Sequence, residues 1–98
     1  MRFLNQSSSM NKEFTVTIQN QLGLHVRAAT KLVKICAGFK SLILITFKDK
    51  EINAKSIISV MSLGAKKDEQ LNFKITGDDS NKASLAIQDI FDEKFYEI

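Results

Sequence analysis

Proline and tryptophan are absent from the 98 residues, and cysteine, histidine and tyrosine occur once each. A lone Cys36 excludes both a disulfide framework and a thiolate metal site. A lone His25, with no second imidazole and no cysteine pair beside it, leaves a metal without a coordination shell. There is no internal repeat and no low-complexity core, and a chain this short fits one domain with little apolar core to spare. No apolar run is long enough to span a bilayer. The opening "MRFLNQSSSMNKEF" carries one arginine and no apolar stretch of signal-peptide type, so the expected address is the cytoplasm. Long basic runs are missing too: the net charge is +3, and Lys66–Lys67 is the longest lysine pair. That is not the footprint of a dedicated nucleic-acid binder. Tyr96 is the single surface tyrosine candidate, and the polar strand faces offer no aromatic platform for stacking RNA bases.

What remains is ordinary for a globular protein, with 44% hydrophobic and 26% charged residues. Such a chain can cover one sheet on one face. Residues 1–10 are polar and serine-rich and are expected to be a disordered tail, with Met10 a candidate start. Residues 11–98 form the expected domain.

From Glu13 to Asn20, Phe14, Val16 and Ile18 alternate with Thr15, Thr17 and Gln19, the pattern of a half-buried strand. A turn region through Gly23 follows. Ala29, Leu32, Val33 and Cys36 then share one face of a helix that Gly38 is expected to end as a C-terminal cap. Because Cys36 lies on that stripe, it reads as a small core residue rather than a nucleophile. "SLILITFK" is a second, more apolar strand, expected to be central. "KDKE" turns the chain into a short strand, "EINA". Ser56 is placed to cap a helix of two turns that Gly64 stops. "QLNFKIT" alternates with Leu71, Phe73 and Ile75 inward. After the "GDDSN" turn, a last helix runs from about Asn81 to Lys94 with Ala83, Ala86, Ile87, Ile90 and Phe91 inward. The order β-α-β-β-α-β-α, with one wet sheet face, predicts an α+β open-faced sandwich of two layers.

The chemistry centres on "QLGLHVRAATKLVK". His25 stands at a helix start, where unpaired N–H groups and the positive dipole end favour an anion. A second positive charge is opposed there, which favours the neutral, nucleophilic form of an imidazole. Such a ring can take a phosphoryl group on nitrogen, while Arg27 can pair with phosphate oxygens in a fork. Gly23 lets the backbone turn without crowding the ring. A surface or capping histidine without reactivity fits the same position, and spacing alone does not separate the two.

"GLHVRAAT" resembles the phosphorylation-site signature of the HPr family, the histidine-containing phosphocarriers of the phosphoenolpyruvate-dependent sugar phosphotransferase system. "INAKSIISVMSLGA" resembles that family's second signature, around a regulatory serine, and the two stand in the family's order and separation across residues 11–95. The resemblance implies the HPr-like fold, with a four-stranded antiparallel sheet and three helices on one face. It implies that His25 accepts a phosphoryl group from enzyme I through Nδ1 and passes it to an enzyme IIA domain, that Arg27 steadies the group, and that Ser56 is the target of an ATP-dependent serine kinase. It implies a monomer that carries phosphate rather than an independent enzyme, with no cofactor, metal, membrane or nucleic acid involved. The family usually has proline after the arginine; Ala28 stands there instead, keeping helix propensity but losing a rigid first turn. Val26 replaces the commoner small residue.

Val60 and Leu63 of the short helix are expected in the core. Ile57, Ile58 and Met61 then form an exposed apolar patch of the kind that marks a partner site, which by resemblance docks enzyme I. A fully sunken helix is the alternative. Arg27, Lys31 and Lys34 line the outer face of the first helix, either as a solvated stripe or to steer acidic partners. Ser56 has a plain capping role open to it as well. A regulatory protein of the same fold, acting through phosphoserine or in nitrogen control without sugar transport, is the nearer rival to the relay. A structural or adaptor domain with an inert histidine is the further one.

Overall fold

A computed structural model of the chain describes residues 10–97. The expected tail therefore lies outside the described residues except for Met10, whose carbonyl accepts a hydrogen bond from the Gly77 amide at 2.8 Å. Met10 is thus tied to the domain.

Alternating side chains give β1 (Asn11–Thr17), β2 (Leu42–Phe47), β3 (Lys50–Asn53) and β4 (Gln70–Thr76). They form one antiparallel sheet in the order β1-β4-β2-β3. β2 is an inner strand, as its apolar content requires. In register, Phe14 and Ile45 flank Phe73, and Ile43 faces Ile75. β1 begins and ends earlier than the alternation predicts. Ile18 is fully buried but leaves the regular ladder, bonding instead to Glu69 and Asp68. The outer face shows Glu13, Thr15, Gln70 and Lys74 to solvent.

The opposite face is covered by α1 (Val26–Ala37), α2 (Ile57–Ser62) and α3 (Ser80–Asp92). Ala28, Ala29, Leu32 and Cys36 of α1 pack into one core with Val60 of α2 and with Ala83, Ile87, Ile90 and Phe91 of α3. Val33 and Ala86 are only half-buried. Gly38 does end α1, but at φ −77°, so its amide bonds back to the last turn without a left-handed residue. No helix among the described residues is long and apolar enough to cross a membrane.

α3 stops two residues short of the expected Lys94. Lys94, Phe95 and Tyr96 form a left-handed turn, with φ of 53°, 57° and 59°. Each such residue costs about 1–2 kcal/mol. Phe95 is fully buried, and a buried aromatic of this kind returns about 1.5–3 kcal/mol. Its ring meets Phe91 edge-on at 4.9 Å, Phe91 meets Phe73 edge-on at 5.8 Å, and Phe73 stacks on Phe14 at 5.4 Å. A row of aromatic contacts thus runs from the first strand to the C-terminal turn. Lys31 adds a hydrogen bond from Nζ to the Phe95 carbonyl at 2.6 Å.

At the other end of α3, the side chain of the N-terminal flanking residue Asp79 makes no capping bond. Its carboxylate accepts from the Ser41 hydroxyl and from the backbone amides of Lys40 and Ser41. The Ser41 hydroxyl first, then the amides, hold the Asp79 carboxyl below the usual range. A group depressed on folding stabilises the protein above its unfolded pKa, and that contribution is lost as pH falls through the unfolded value to the folded one. Asp79→Asn is expected to flatten the acid side of a stability–pH curve by lowering the neutral plateau, with the two proteins converging at acid pH. Parallel curves for the two proteins at acid pH would rule out this linkage.

Candidate functional site

Gly23 turns the chain into α1 at φ +67°, and a Cβ there would lie 2.7 Å from the Ala65 carbonyl oxygen and 2.9 Å from Lys66 Cα. Leu24 then bonds to Ala65 through its amide at 3.0 Å. His25 follows in extended conformation as the residue that precedes the helix, its carbonyl accepting from Ala29 N–H at 2.8 Å. Its imidazole makes no capping bond. The ring is instead partly exposed, at 26% for the side chain, and free to meet groups outside the helix.

What it meets is Glu97, which sequence reasoning missed. The His25 Nε2 and Glu97 Oε2 atoms are paired, and the other carboxylate oxygen accepts from Asn20 Nδ2 at 2.9 Å. Asn20 Nδ2 also donates to the Gly23 carbonyl at 2.7 Å. A carbonyl only accepts, so the Asn20 atom turned toward both oxygens is its NH2. Burial opposes ionisation of Glu97, but the bonds from Asn20 and His25 and the charges of His25 and Lys31 outweigh it, and its pKa is lowered. Glu97 is 72 positions from His25 in the chain, and no local pattern marks it. Only the aromatic anchor at Phe95 brings it back.

Glu97 in turn lines an open groove of about 500 Å³ with Asn20, Leu22 and Tyr96 and with four cations, Arg27, Lys31, Lys67 and Lys94; His25 itself is not among the lining residues. Arg27 is exposed at its rim. Lys31 is not on a solvated stripe as expected: it is half-buried, and its ammonium is spent on Phe95. Lys34, near the far end of α1, is exposed and is not among the groove residues. Ala28 is fully buried, its methyl packed in the core where the family's proline would stand. Such a set of groups can hold a small polyanion against a nitrogen nucleophile.

Ser56 caps α2, its Oγ accepting from Ser59 N–H at 3.3 Å. Val60 and Leu63 are buried, while Ile58 is 79% and Met61 41% exposed. Ile57 departs from the expected patch. It is half-buried, because a helix of only six residues resting on α1 and β3 cannot lift three neighbouring faces into solvent. Leu22 and Val26, on either side of His25 in the chain, are exposed at 70% and 60% and had not been counted with the patch. Cys36 is no rival nucleophile: it is fully buried, and burial, only partly offset by Lys55, pushes its thiol up to about 12.

The family model of the PTS HPr component phosphorylation site matches residues 12–93. The chain belongs to the HPr phosphocarrier family. Phosphocarrier protein HPr of Xylella fastidiosa is 39% identical over 85 residues, covering 87% of this chain and 96% of that protein. HPr of Neisseria meningitidis is 35% identical, covering 85% and 93%. Among solved structures, HPr of Thermoanaerobacter tengcongensis superimposes with a TM-score of 0.86 at 38% identity, covering 89% of this chain and 98% of that one. The HPr fold, a four-stranded antiparallel sheet with three helices, is therefore this chain's fold as expected. In the HPr family a protein of this kind carries a phosphoryl group and is not itself an enzyme.

Proposed function

We propose that this protein is a phosphoryl relay in which His25 Nδ1 accepts the group from enzyme I, charged by phosphoenolpyruvate, and donates it to an enzyme IIA domain. The observation that carries the reading is the imidazole at the head of α1, not used as a cap and paired with Glu97, which lines a groove together with four cations. Arg27 pairs with the phosphoryl oxygens as charge builds on them. The exposed Ile58 and Met61, with Leu22 and Val26 near the ring, form the apolar docking surface for both partners. Lys34 and the groove cations add salt-sensitive steering toward acidic partner surfaces. The deciding experiment is intact-mass spectrometry at neutral to alkaline pH after incubation with enzyme I and phosphoenolpyruvate. An acid-labile gain of about 80 Da supports the relay; an unchanged mass with active enzyme I from the same cell sinks it.

Ser56 is the proposed regulatory site for an ATP-dependent serine kinase. Its hydroxyl already faces the Ser59 amide, so a phosphate adds up to about two negative charges within one turn of Ile58 and two turns of Met61. Docking of a partner with complementary apolar and acidic surface then weakens. Ser56→Asp is expected to raise the Kd for enzyme I about ten-fold, equivalent to about 1.4 kcal/mol, measurable by titration calorimetry. Ser56→Ala should leave docking intact and cost only about 1 kcal/mol of stability through the lost cap. Equal docking by Ser56→Asp and the wild type would refute the regulatory role.

A further inference from the structure

The contact between the C-terminal turn and the imidazole has a consequence for transfer, which rests on the relay reading but is testable apart from it. We propose that Glu97 is a positioning residue: its carboxylate accepts a hydrogen bond from His25 Nε2–H, fixing the tautomer that leaves the Nδ1 lone pair free, and it supplies the counter-charge for the ring once Nδ1 carries phosphate.

The carboxylate faces two donors. Asn20 Nδ2 approaches one oxygen at 2.9 Å and His25 Nε2 the other, and an ionised carboxylate can only accept, so the proton on that side of the ring must sit on Nε2. The lowered pKa of Glu97 agrees with an ionised carboxylate. Every other charged side chain lining the groove is a cation: Arg27 and Lys31 from α1, Lys67 from the loop before β4, and Lys94 from the C-terminal turn. Among the described residues that line the groove, Glu97 is the one anion. It is held beside the imidazole because Phe95 is anchored in the core and Lys31 binds the Phe95 carbonyl. Its side chain is only 13% exposed, which limits screening by water.

The transfer step then needs no proton movement. The Nδ1 lone pair forms the N–P bond, and the donor's bond to phosphorus breaks with its electron pair remaining on the donor atom. Nε2 keeps its proton, so the ring becomes a cation, and that charge forms directly against the Glu97 carboxylate. Donation to the next protein reverses each change. A carboxylate that orients an imidazole and stabilises its charged form in this way acts through the histidine, not on the phosphate.

His25 is the only histidine, so 15N-histidine labelling of the full chain reports a single ring. Near neutral pH the wild type is expected to show a protonated-type Nε2 and an unprotonated-type Nδ1. Glu97→Gln, whose amide oxygen still accepts, should keep that signature, whereas Glu97→Ala should give averaged shifts of a tautomer mixture. The ratio of phosphorylated to free protein at equilibrium with charged enzyme I should fall about ten-fold in Glu97→Gln, because the counter-charge is gone. Unaltered tautomer shifts in Glu97→Ala overturn the positioning role, and an unaltered phosphorylation ratio in Glu97→Gln overturns the counter-charge. If the wild type takes no phosphate while the tautomer pattern holds, the relay reading fails and the grip of Glu97 on the ring stands.

Discussion

His25→Ala is expected to take up no acid-labile phosphate at all, where the wild type gains about 80 Da per molecule. The loss should be complete rather than partial because no substitute nucleophile is within reach. There is no second histidine. Cys36 is buried with its thiol raised to about 12, so it offers almost no thiolate at neutral pH. Ser56 gives an acid-stable ester and is distinguished by acid treatment before the mass is read. Arg27→Ala should behave differently. The nucleophile remains, but a forked donor to the developing charge is removed, and a loss of about ten- to a hundred-fold in transfer rate is expected. Quench-flow or short-time mass measurement separates the two: His25→Ala stays at zero at all times, and Arg27→Ala reaches the wild-type level late. Acid-labile phosphate on His25→Ala would place the acceptor elsewhere.

Gly23→Ala should be the most damaging single methyl that can be added near the site. The position has φ +67°, and the new Cβ would meet the Ala65 carbonyl oxygen at 2.7 Å and Lys66 Cα at 2.9 Å. Both are backbone atoms, which cannot swing aside as a side-chain end can. Left-handed strain of about 1–2 kcal/mol and overpacking of about 1–3 kcal/mol together predict a loss of about 2–5 kcal/mol, read as a lower urea midpoint with unchanged slope. The shift also moves Leu24, whose amide bonds to Ala65, and with it the neighbouring His25, so transfer should slow in the protein that remains folded. Gly64 is the control. It has a similar φ of +61° but nothing within 4 Å of an added Cβ, so Gly64→Ala should cost only the strain, about 1–2 kcal/mol. Equal costs at the two glycines would mean that the close approach to residues 65 and 66 is not what demands glycine at 23.

Much of the fold was legible because local periodicity reports burial directly. The alternation of Leu71, Phe73 and Ile75 and the spacing of Ala29, Leu32 and Cys36 placed β4 and α1 correctly, with the named residues buried. Boundaries were less legible. β1 was expected to reach Asn20 but leaves the ladder after Thr17, because Ile18 remains inward while its bonds pass to the Asp68–Glu69 loop. Periodicity sees which way a side chain points and not whether its backbone still has a partner strand. The exposed and buried faces of α2 were read correctly for Ile58, Met61, Val60 and Leu63, but Ile57 is half-buried. A single turn and a half of helix leaves such a residue to be decided by whatever lies alongside.

The sequence by itself determined the elements, the wet and dry faces of each strand, the place of His25 at the head of α1 with Arg27 beside it, and Ser56 as the cap of α2. These are short-range matters, set by side-chain spacing and by backbone groups within a few residues. Tertiary structure alone decided the strand order β1-β4-β2-β3, the recruitment of Lys31 to the Phe95 carbonyl and the pairing of Glu97 with His25. Each joins residues far apart in the chain, and the last two depend on a buried aromatic row that fixes where the C-terminal turn ends. Periodicity carries no information about which distant surfaces meet, because that is settled by the packing of the whole core.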